Sequence, residues 1–195
     1  MSFHPAMTDF HRLTESVLDE LGAVLRAINT NEVDMLTHRL QEAPRIFVVG
    51  KGRTGLQLRA FAMRLMHLGL VVHVVDDVTT PALKAGDLLL IGSGSGRTPA
   101  LLRYATRAHE LGAQVALLTA EQGAPLAAKA DSLVVIASAV RTPDGTRPSI
   151  STSVLFPGSI FEHALGLLLD MIVQRLLADL GITADEALTR HANLE

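Results

Sequence analysis

The chain of 195 residues contains no cysteine and no tryptophan, and only 4% of its residues are aromatic. The lack of cysteine excludes disulfides, thiolate metal sites and a cysteine nucleophile, and it is typical of a cytoplasmic protein. Charged residues are also scarce, at 19%, and the formal net charge is −3. Because nucleic-acid binding needs clustered basic residues, we expect no nucleic-acid partner.

An export signal and a clear membrane span are also missing from the sequence. Its first residues, MSFHPAMTDFHRL, carry histidine and aspartate where a signal peptide has a basic start and an unbroken apolar stretch. The most apolar segment, residues 160–180, is interrupted by charged and polar side chains, so we predict a buried helix there. With 48% hydrophobic residues, the composition indicates one compact cytoplasmic domain that does not associate with a membrane.

Five short apolar runs rich in β-branched residues predict buried strands, and segments with helical periodicity separate most of them. This alternation predicts a five-stranded parallel sheet with helices on both faces, a three-layer α/β/α sandwich of the doubly wound type. The predicted strands are residues 45–50, 70–75, 87–92, 114–119 and 131–137.

Two helices are predicted before the first strand, at about residues 8–28 and 31–42, and two more after the last strand. Residues 141–152, RTPDGTRPSIST, form a long polar loop that we interpret as a lid or connector. The predicted single domain comprises an N-terminal helical extension (1–43), an α/β core (44–180) and a C-terminal helical tail (181–195).

A stretch rich in glycine and hydroxyl groups, GSGSGRT at 92–98, directly follows the third predicted strand. Ligands of open parallel sheets bind at the carboxyl ends of the strands, where loops lead into helix N-termini. Thr98 is a candidate N-cap with Pro99 at the first helical position, while Ser93 and Ser95 supply further hydroxyl donors. The pattern predicts a phosphate site, and an ordinary glycine-rich turn with a helix cap is the alternative.

A second glycine-rich stretch, GKGRTG at 50–55, follows the first predicted strand and matches the dinucleotide pattern GxGxxG, with Asp76 at a distance suited to ribose. A dinucleotide site would leave the hydroxyl-rich loop after the third strand unexplained. Two loops facing one crevice suit a small phosphorylated substrate better. Thr54 then adds a hydroxyl, and Arg53 or Arg97 adds a charged donor.

Five spaced segments together resemble the sugar isomerase (SIS) domain family over roughly residues 40–195. Within that family, the likeness is to members that interconvert D-arabino-hex-3-ulose 6-phosphate and fructose 6-phosphate. The segments are GKGRTG, AFAMRLMHLG at 60–69, SGSGRT at 93–98, FE at 161–162 and the terminal RHANLE at 190–195.

The resemblance implies an SIS fold and a sugar-phosphate ketol isomerase that works through an enediol(ate), in formaldehyde assimilation by the ribulose monophosphate pathway or in pentose-phosphate supply. It also implies a homotetramer with active sites near subunit boundaries, and functional pairing with 3-hexulose-6-phosphate synthase is a further expectation. The histidines show no metal-binding spacing, so we expect no metal site and no cofactor.

Such a reaction needs a base that takes the proton from C2 and a group that returns one to C3. The resemblance assigns Glu162 as general base and His191 as proton shuttle between the two oxygens, or the reverse. The predicted phosphate- and substrate-binding residues are Gly52, Arg53, Thr54, Ser93, Gly94, Ser95, Gly96, Arg97 and Thr98, with Lys51 and His67 as secondary candidates.

Each catalytic candidate has a structural alternative. Ser159 and Glu162 fit a capping box, in which the glutamate only closes a helix N-terminus. His191 lies near the end of the chain, where frayed tails are usual, but the capping-box pattern TADE at 183–186 predicts a short docked helix that would hold it. His67 also suits the C-terminus of a helix for electrostatic reasons alone.

Lys51 stands where the family usually has a small or apolar residue, Thr54 replaces the commoner serine, and Pro99 follows the phosphate loop in place of a polar residue. Isomerisation of another sugar phosphate, including a bisphosphate, therefore stays open. Two further functions stay open on other grounds: non-catalytic sugar-phosphate sensing, and a nicotinamide-dependent dehydrogenase, for which the chain is short. The apolar segment 160–180 predicts packing between subunits.

Overall fold

The computed structural model describes residues 9–138 and 153–194, so the predicted lid or connector at 141–152 lies outside the described residues. Strands and helices alternate through most of this part of the chain. In chain order the elements are α1 (Phe10–Arg26), α2 (Thr30–Glu42), β1 (Ile46–Gly50), α3 (Gly52–His67), β2 (Val72–Val74), β3 (Leu88–Gly92), α4 (Pro99–Glu110), β4 (Gln114–Thr119), β5 (Ser132–Val135), α5 (Ser159–Leu180) and α6 (Ala184–Leu188).

The five strands form one parallel sheet in the order β2-β1-β3-β4-β5, which confirms the predicted fold. Strand β1 lies between β2 and β3, the two strands that follow it in the chain. Gly50 at the end of β1 pairs with Gly92 at the end of β3. The loops that follow these two strands therefore start side by side at the same edge of the sheet.

Strand β2 is shorter than the predicted segment 70–75. The C-terminal turn of α3 takes up its first residues: the Gly69 N–H donates to the Met66 carbonyl and the Leu70 N–H to the Leu65 carbonyl. Gly69 adopts φ +81°, the left-handed conformation that commonly ends a helix. As β2 lies at the edge of the sheet, only β1 supports it, and it ends at Val74.

Helices α2, α3 and α5 cover one face of the sheet, and α4 covers the other. Residues of one strand alternate between the two cores: Ile46 and Val48 face the first, Phe47 and Val49 the second. All four side chains are buried, as expected for a parallel strand between two helical layers.

Helix α5 buries ten of its residues within this single chain, because α1, α2 and α3 all pack against it. The predicted packing between subunits is thus not required to cover most of this helix. Leu167 and Met171 remain exposed on it.

Among the helices of the described residues, none combines the length and apolar content that crossing a bilayer requires.

A buried ion pair lies at the opposite edge of the sheet, where its two residues directly precede β1 and β3. The Asp87 side chain is 2% exposed and accepts hydrogen bonds from Arg45 Nε at 3.0 Å and from the Lys84 backbone N–H at 2.7 Å. Arg45 also donates to the Ala82 carbonyl. Its guanidinium lies 5.3 Å from the Phe47 ring centroid.

We predict that Asp87→Asn lowers the free energy of unfolding by about 3 kcal/mol, because it leaves Arg45 partly buried without its counter-charge. Urea unfolding followed by circular dichroism measures the change. The matched control is Asp34→Asn, since the ion pair between Asp34 and Arg175 is exposed and such pairs contribute less than about 1 kcal/mol. Equal effects of the two substitutions would contradict the prediction.

Candidate active site

The first glycine loop, residues 50–55, turns the chain directly from β1 into α3. Lys51 is the extended N-cap residue, and Gly52 adopts φ +58°. A Cβ atom on Gly55 would lie 2.6 Å from the Gly50 carbonyl oxygen, so the helix can start this close to the strand only with glycine there. The tight turn directs Thr54, which is 9% exposed, toward the end of β3.

The second glycine loop, residues 92–98, is held by the last residues of β4 and by the residue that follows this strand. The Ser93 N–H donates to the Leu118 carbonyl at 2.9 Å, and the Gly94 carbonyl accepts from the Ala120 N–H at 3.0 Å and from Thr119 Oγ1 at 3.2 Å. Thr54 meets this loop at its start, since a Cβ atom on Gly92 would lie 2.9 Å from Thr54 Cγ2. The two glycine loops are therefore in direct contact.

Hydroxyl groups gather where the second glycine loop enters α4. Thr98 is the N-cap residue and Pro99 occupies the first turn, as predicted, but the Thr98 side chain makes no capping hydrogen bond. Its Oγ1 instead lies 3.4 Å from Oγ of Ser93, whose side chain is buried. Ser95 Oγ accepts from the Arg97 N–H at 3.3 Å. These hydroxyls, together with the positive end of the α4 dipole, suit a phosphate group.

A carboxylate stands beside the first glycine loop. Glu162, whose side chain is 18% exposed, pairs with Arg53, with 2.8 Å between Oε2 and Nε. The capping-box interpretation of Ser159 and Glu162 is wrong, because α5 has Gly158 as its N-cap in the left-handed conformation and Ser159 is already its first helical residue. Glu162 therefore does not have that structural role, and its carboxylate faces Arg53 of the first glycine loop.

The structure does not bring His191 to Glu162 within one chain. Helices α3 and α5 run in parallel, with Arg53 against Glu162 near their N-termini and the amide of Gln57 against Gly166 one turn further on. His191 contacts the other end of α3. From Arg53 to His67 that helix rises about 21 Å, so the general base and shuttle assigned from the resemblance lie far apart in a single subunit.

His67 and His191 form a stacked pair at the C-terminus of α3. Their ring centroids are 5.2 Å apart with 29° between the planes, and Arg190 Nη1 donates to the His67 carbonyl at 2.9 Å. Thr183 and Glu186 make the predicted capping box at the start of α6, which docks the tail. Burial, followed by His191 and Arg64, lowers the pKa of His67 below its ordinary 6.5, so its imidazole is neutral at pH 7.

The other basic candidates also have acidic partners. Arg97 pairs with Glu121 at 3.2 Å, and Lys51 Nζ lies 2.6 Å from Asp76 Oδ2. The Asp76 carboxylate, which the dinucleotide interpretation assigned to ribose, also accepts a hydrogen bond from Tyr104 at 3.0 Å. Sequence reasoning did not identify Glu121 or Tyr104. Their only sequence signal is that each falls near the carboxyl end of a strand or in the helix after one.

A protein-family profile, the SIS domain, matches residues 39–156, more than half of the chain. The chain belongs to the SIS domain family. In this SIS protein, both glycine loops and all five strands fall within the matched segment.

Proteins named as isomerases are similar in sequence to this SIS chain over most of its length. It is 42% identical over 179 residues to a 3-hexulose-6-phosphate isomerase of Mycobacterium gastri, covering 92% of this chain and 88% of that protein. It is 36% identical to a 3-hexulose-6-phosphate isomerase of Bacillus subtilis, covering 92% and 95%. A Methanococcus jannaschii crystal structure, from which that same function was inferred, superposes with a TM-score of 0.79 at 29% identity, covering 93% of this chain and 98% of the other.

We predict that Gly96→Ala weakens binding of inorganic phosphate at least tenfold. Gly96 adopts φ +59°, and a Cβ atom there would lie 2.4 Å from Ala124 Cβ, so the second glycine loop has to shift. Titration calorimetry measures the affinity. Gly123→Ala is the matched control, since nothing lies within 4 Å of its added Cβ atom. If Gly96→Ala bound phosphate as the wild type does, the loop geometry would not matter for the anion.

Proposed function

We propose that this SIS protein is a 3-hexulose-6-phosphate isomerase, which interconverts D-arabino-hex-3-ulose 6-phosphate and fructose 6-phosphate. The observation that carries the proposal is the position of the Glu162 carboxylate beside the first glycine loop. That loop contacts the second glycine loop, where the phosphate site is predicted. The relatives named as 3-hexulose-6-phosphate isomerases support this substrate.

In the proposed complex, the second glycine loop binds the phosphoryl group. Backbone N–H groups and the hydroxyls of Ser93, Ser95, Thr98 and Thr54 donate to its oxygens, aided by the α4 dipole. Phosphorylation blocks O6, and the other hydroxyls of a 3-ketose would close only strained small rings. The substrate therefore enters open-chain, and no ring-opening group is needed.

Glu162 is the proposed general base. It takes the proton from C2, the electron pair forms the C2–C3 double bond of the enediolate, and the charge moves to the oxygen on C3. A proton then passes from the C2 oxygen to the C3 oxygen, and C3 receives a proton as the C2 carbonyl forms. Arg53 lies beside the carboxylate, where its charge favours the anionic intermediate.

A bisphosphate substrate is less favoured than a monophosphate. Lys51, which departs from the usual residue of the family and so suggested a bisphosphate, has its charge balanced by Asp76 at 2.6 Å. Because the ammonium is already paired, it offers a second phosphate no uncompensated positive charge.

The histidine pair of a second subunit is the proposed proton shuttle. Within one chain, His67 and His191 lie too far from Glu162 to take part. Leu56 and Met63 on α3, together with Met171 on α5, expose large apolar side chains on the outer surface of these helices, where a second copy of this chain would bury them. If a two-fold axis runs these helices antiparallel, one subunit's histidines lie toward its neighbour's Glu162 and glycine loops. The exposed apolar side chains support the expected homo-oligomer.

The test of the proposed base is Glu162→Gln. We expect turnover of fructose 6-phosphate to fall at least 100-fold. In deuterated water, we also expect loss of solvent deuterium incorporation at C2 of the hex-3-ulose 6-phosphate product. Phosphate affinity should change little, since the binding hydroxyls are untouched. Glu110→Gln, at an exposed ion pair on α4, is the control. Full exchange in Glu162→Gln would contradict the role of this carboxylate and with it the proposed function.

Mixing inactive variants tests the shared site. We expect Glu162→Gln and the double variant His67→Gln/His191→Gln each to be inactive as pure proteins. After co-refolding, mixed assemblies contain sites in which one subunit supplies the carboxylate and the other the histidines, so activity should reappear. If all three groups had to come from one subunit, no mixed assembly would recover activity.

A further inference from the structure

Lys51, Asp76 and Tyr104 form a compact polar cluster that the proposed mechanism does not use. The two oxygens of Asp76 have different partners: Lys51 Nζ at 2.6 Å and Tyr104 Oη at 3.0 Å. Lys51 Nζ also lies 5.7 Å from the centroid of the Tyr104 ring. Each member thus contacts both others, although 25 and 28 residues of sequence separate them.

Asp76 has a backbone conformation that aspartate seldom adopts. Its φ is +81°, and it is the only non-glycine residue with positive φ in the described ranges 9–138 and 153–194. Such conformations are disfavoured for residues with a Cβ atom and persist only where surrounding contacts stabilise them. Here the two hydrogen bonds to the carboxylate hold the residue in place.

The cluster joins the two glycine loops to the end of β2. Lys51 is the N-cap residue of α3 within the first glycine loop. Tyr104 lies in α4, the helix that directly follows the second glycine loop. Asp76 follows β2 at the edge of the sheet. The loops already touch through Thr54 and Gly92, and the cluster adds a second connection on the opposite, α4-covered side.

We propose that Lys51, Asp76 and Tyr104 form a brace that fixes the two glycine loops relative to each other and so sets the affinity of the site for a phosphoryl group. The three residues are positioning residues, and this inference rests on the proposed function. Lys51 does not bind the phosphoryl group itself.

The direction of the Lys51 side chain favours a brace over a direct ligand. The neighbouring Arg53 points to α5 on one side of the sheet, whereas Lys51 points to Tyr104 of α4 on the other. To reach a phosphoryl group, Lys51 would have to leave Asp76. That would abolish the ion pair and remove one of the contacts that hold Asp76 at positive φ.

Both charges of the brace persist through the neutral range. The hydrogen bond from Lys51, then that from Tyr104, lowers the pKa of Asp76 below its ordinary 3.8, so pairing is lost only as pH falls through that lowered value. The hydrogen bond to Asp76 raises the pKa of Lys51 above 10.5, so pairing is lost only as pH rises through the raised value. The brace is therefore intact between about pH 5 and pH 9.

Three substitutions test the brace: Lys51→Met, Asp76→Asn and their combination. We expect each single variant to weaken inorganic phosphate binding and raise KM for fructose 6-phosphate about tenfold, with kcat within about threefold of wild type. The double variant should be no weaker than either single variant, because one interaction is lost in all three. A direct ligand role predicts the opposite for Asp76→Asn, since a released Lys51 would bind phosphate as well or better.

Asp76→Gly separates the brace from simple structural support. Glycine tolerates positive φ, so we expect unchanged or higher thermal stability, yet phosphate binding as weak as in Asp76→Asn. The control is the neighbouring ion pair of Arg59 and Asp77, 2.8 Å apart, which does not involve α4. Arg59→Met and Asp77→Asn should leave KM unchanged.

Several results would overturn the brace: wild-type phosphate affinity in Lys51→Met, retained affinity in Asp76→Asn or Asp76→Gly, or additive losses in the double variant. Failure of the proposed function has a different signature. In that case the wild type shows no isomerase turnover, while the comparison of phosphate affinities among these variants still decides whether the brace exists.

Discussion

The close contact between α3 and the end of β1 governs the geometry of the whole site. The helix starts so near the strand that Gly55 lies against the Gly50 carbonyl, and no larger residue fits. This contact presses Thr54 onto the start of the second glycine loop and turns Arg53 toward α5. A looser turn would separate the hydroxyls that suit the phosphate from the carboxylate that suits the chemistry.

Parallel packing of α3 and α5 gives the two ends of this helix pair different chemistry. The N-terminal end holds Glu162 and faces the glycine loops, whereas the C-terminal end holds His67 and His191 with the docked tail. Since a helix of this length is rigid, these groups cannot meet within one chain. The proposed site, which uses both ends, therefore needs two copies of the chain, so under this proposal assembly is part of the chemistry rather than only a source of stability.

Most of the fold could be predicted because strand runs and glycine loops are local patterns. Apolar β-branched runs located all five strands, and the TADE pattern located the cap of α6. Side-chain contacts between distant segments could not be predicted. The choice of Arg53 over the backbone as partner of Glu162, the separation of His191 from Glu162, and the contact of Lys51 with Asp76 all depend on how helices pack, which one-dimensional spacing does not encode.

The pairing of basic groups around the two glycine loops has a kinetic consequence. Arg53, Arg97 and Lys51 each face a carboxylate, so the region of the glycine loops presents dipoles rather than a net positive field. The chain as a whole is mildly acidic. Long-range steering of anions is therefore weak, and the rate of encounter should depend little on ionic strength. Discrimination among anionic metabolites then takes place at contact range, through the shape of the loops, after diffusion has delivered the molecule.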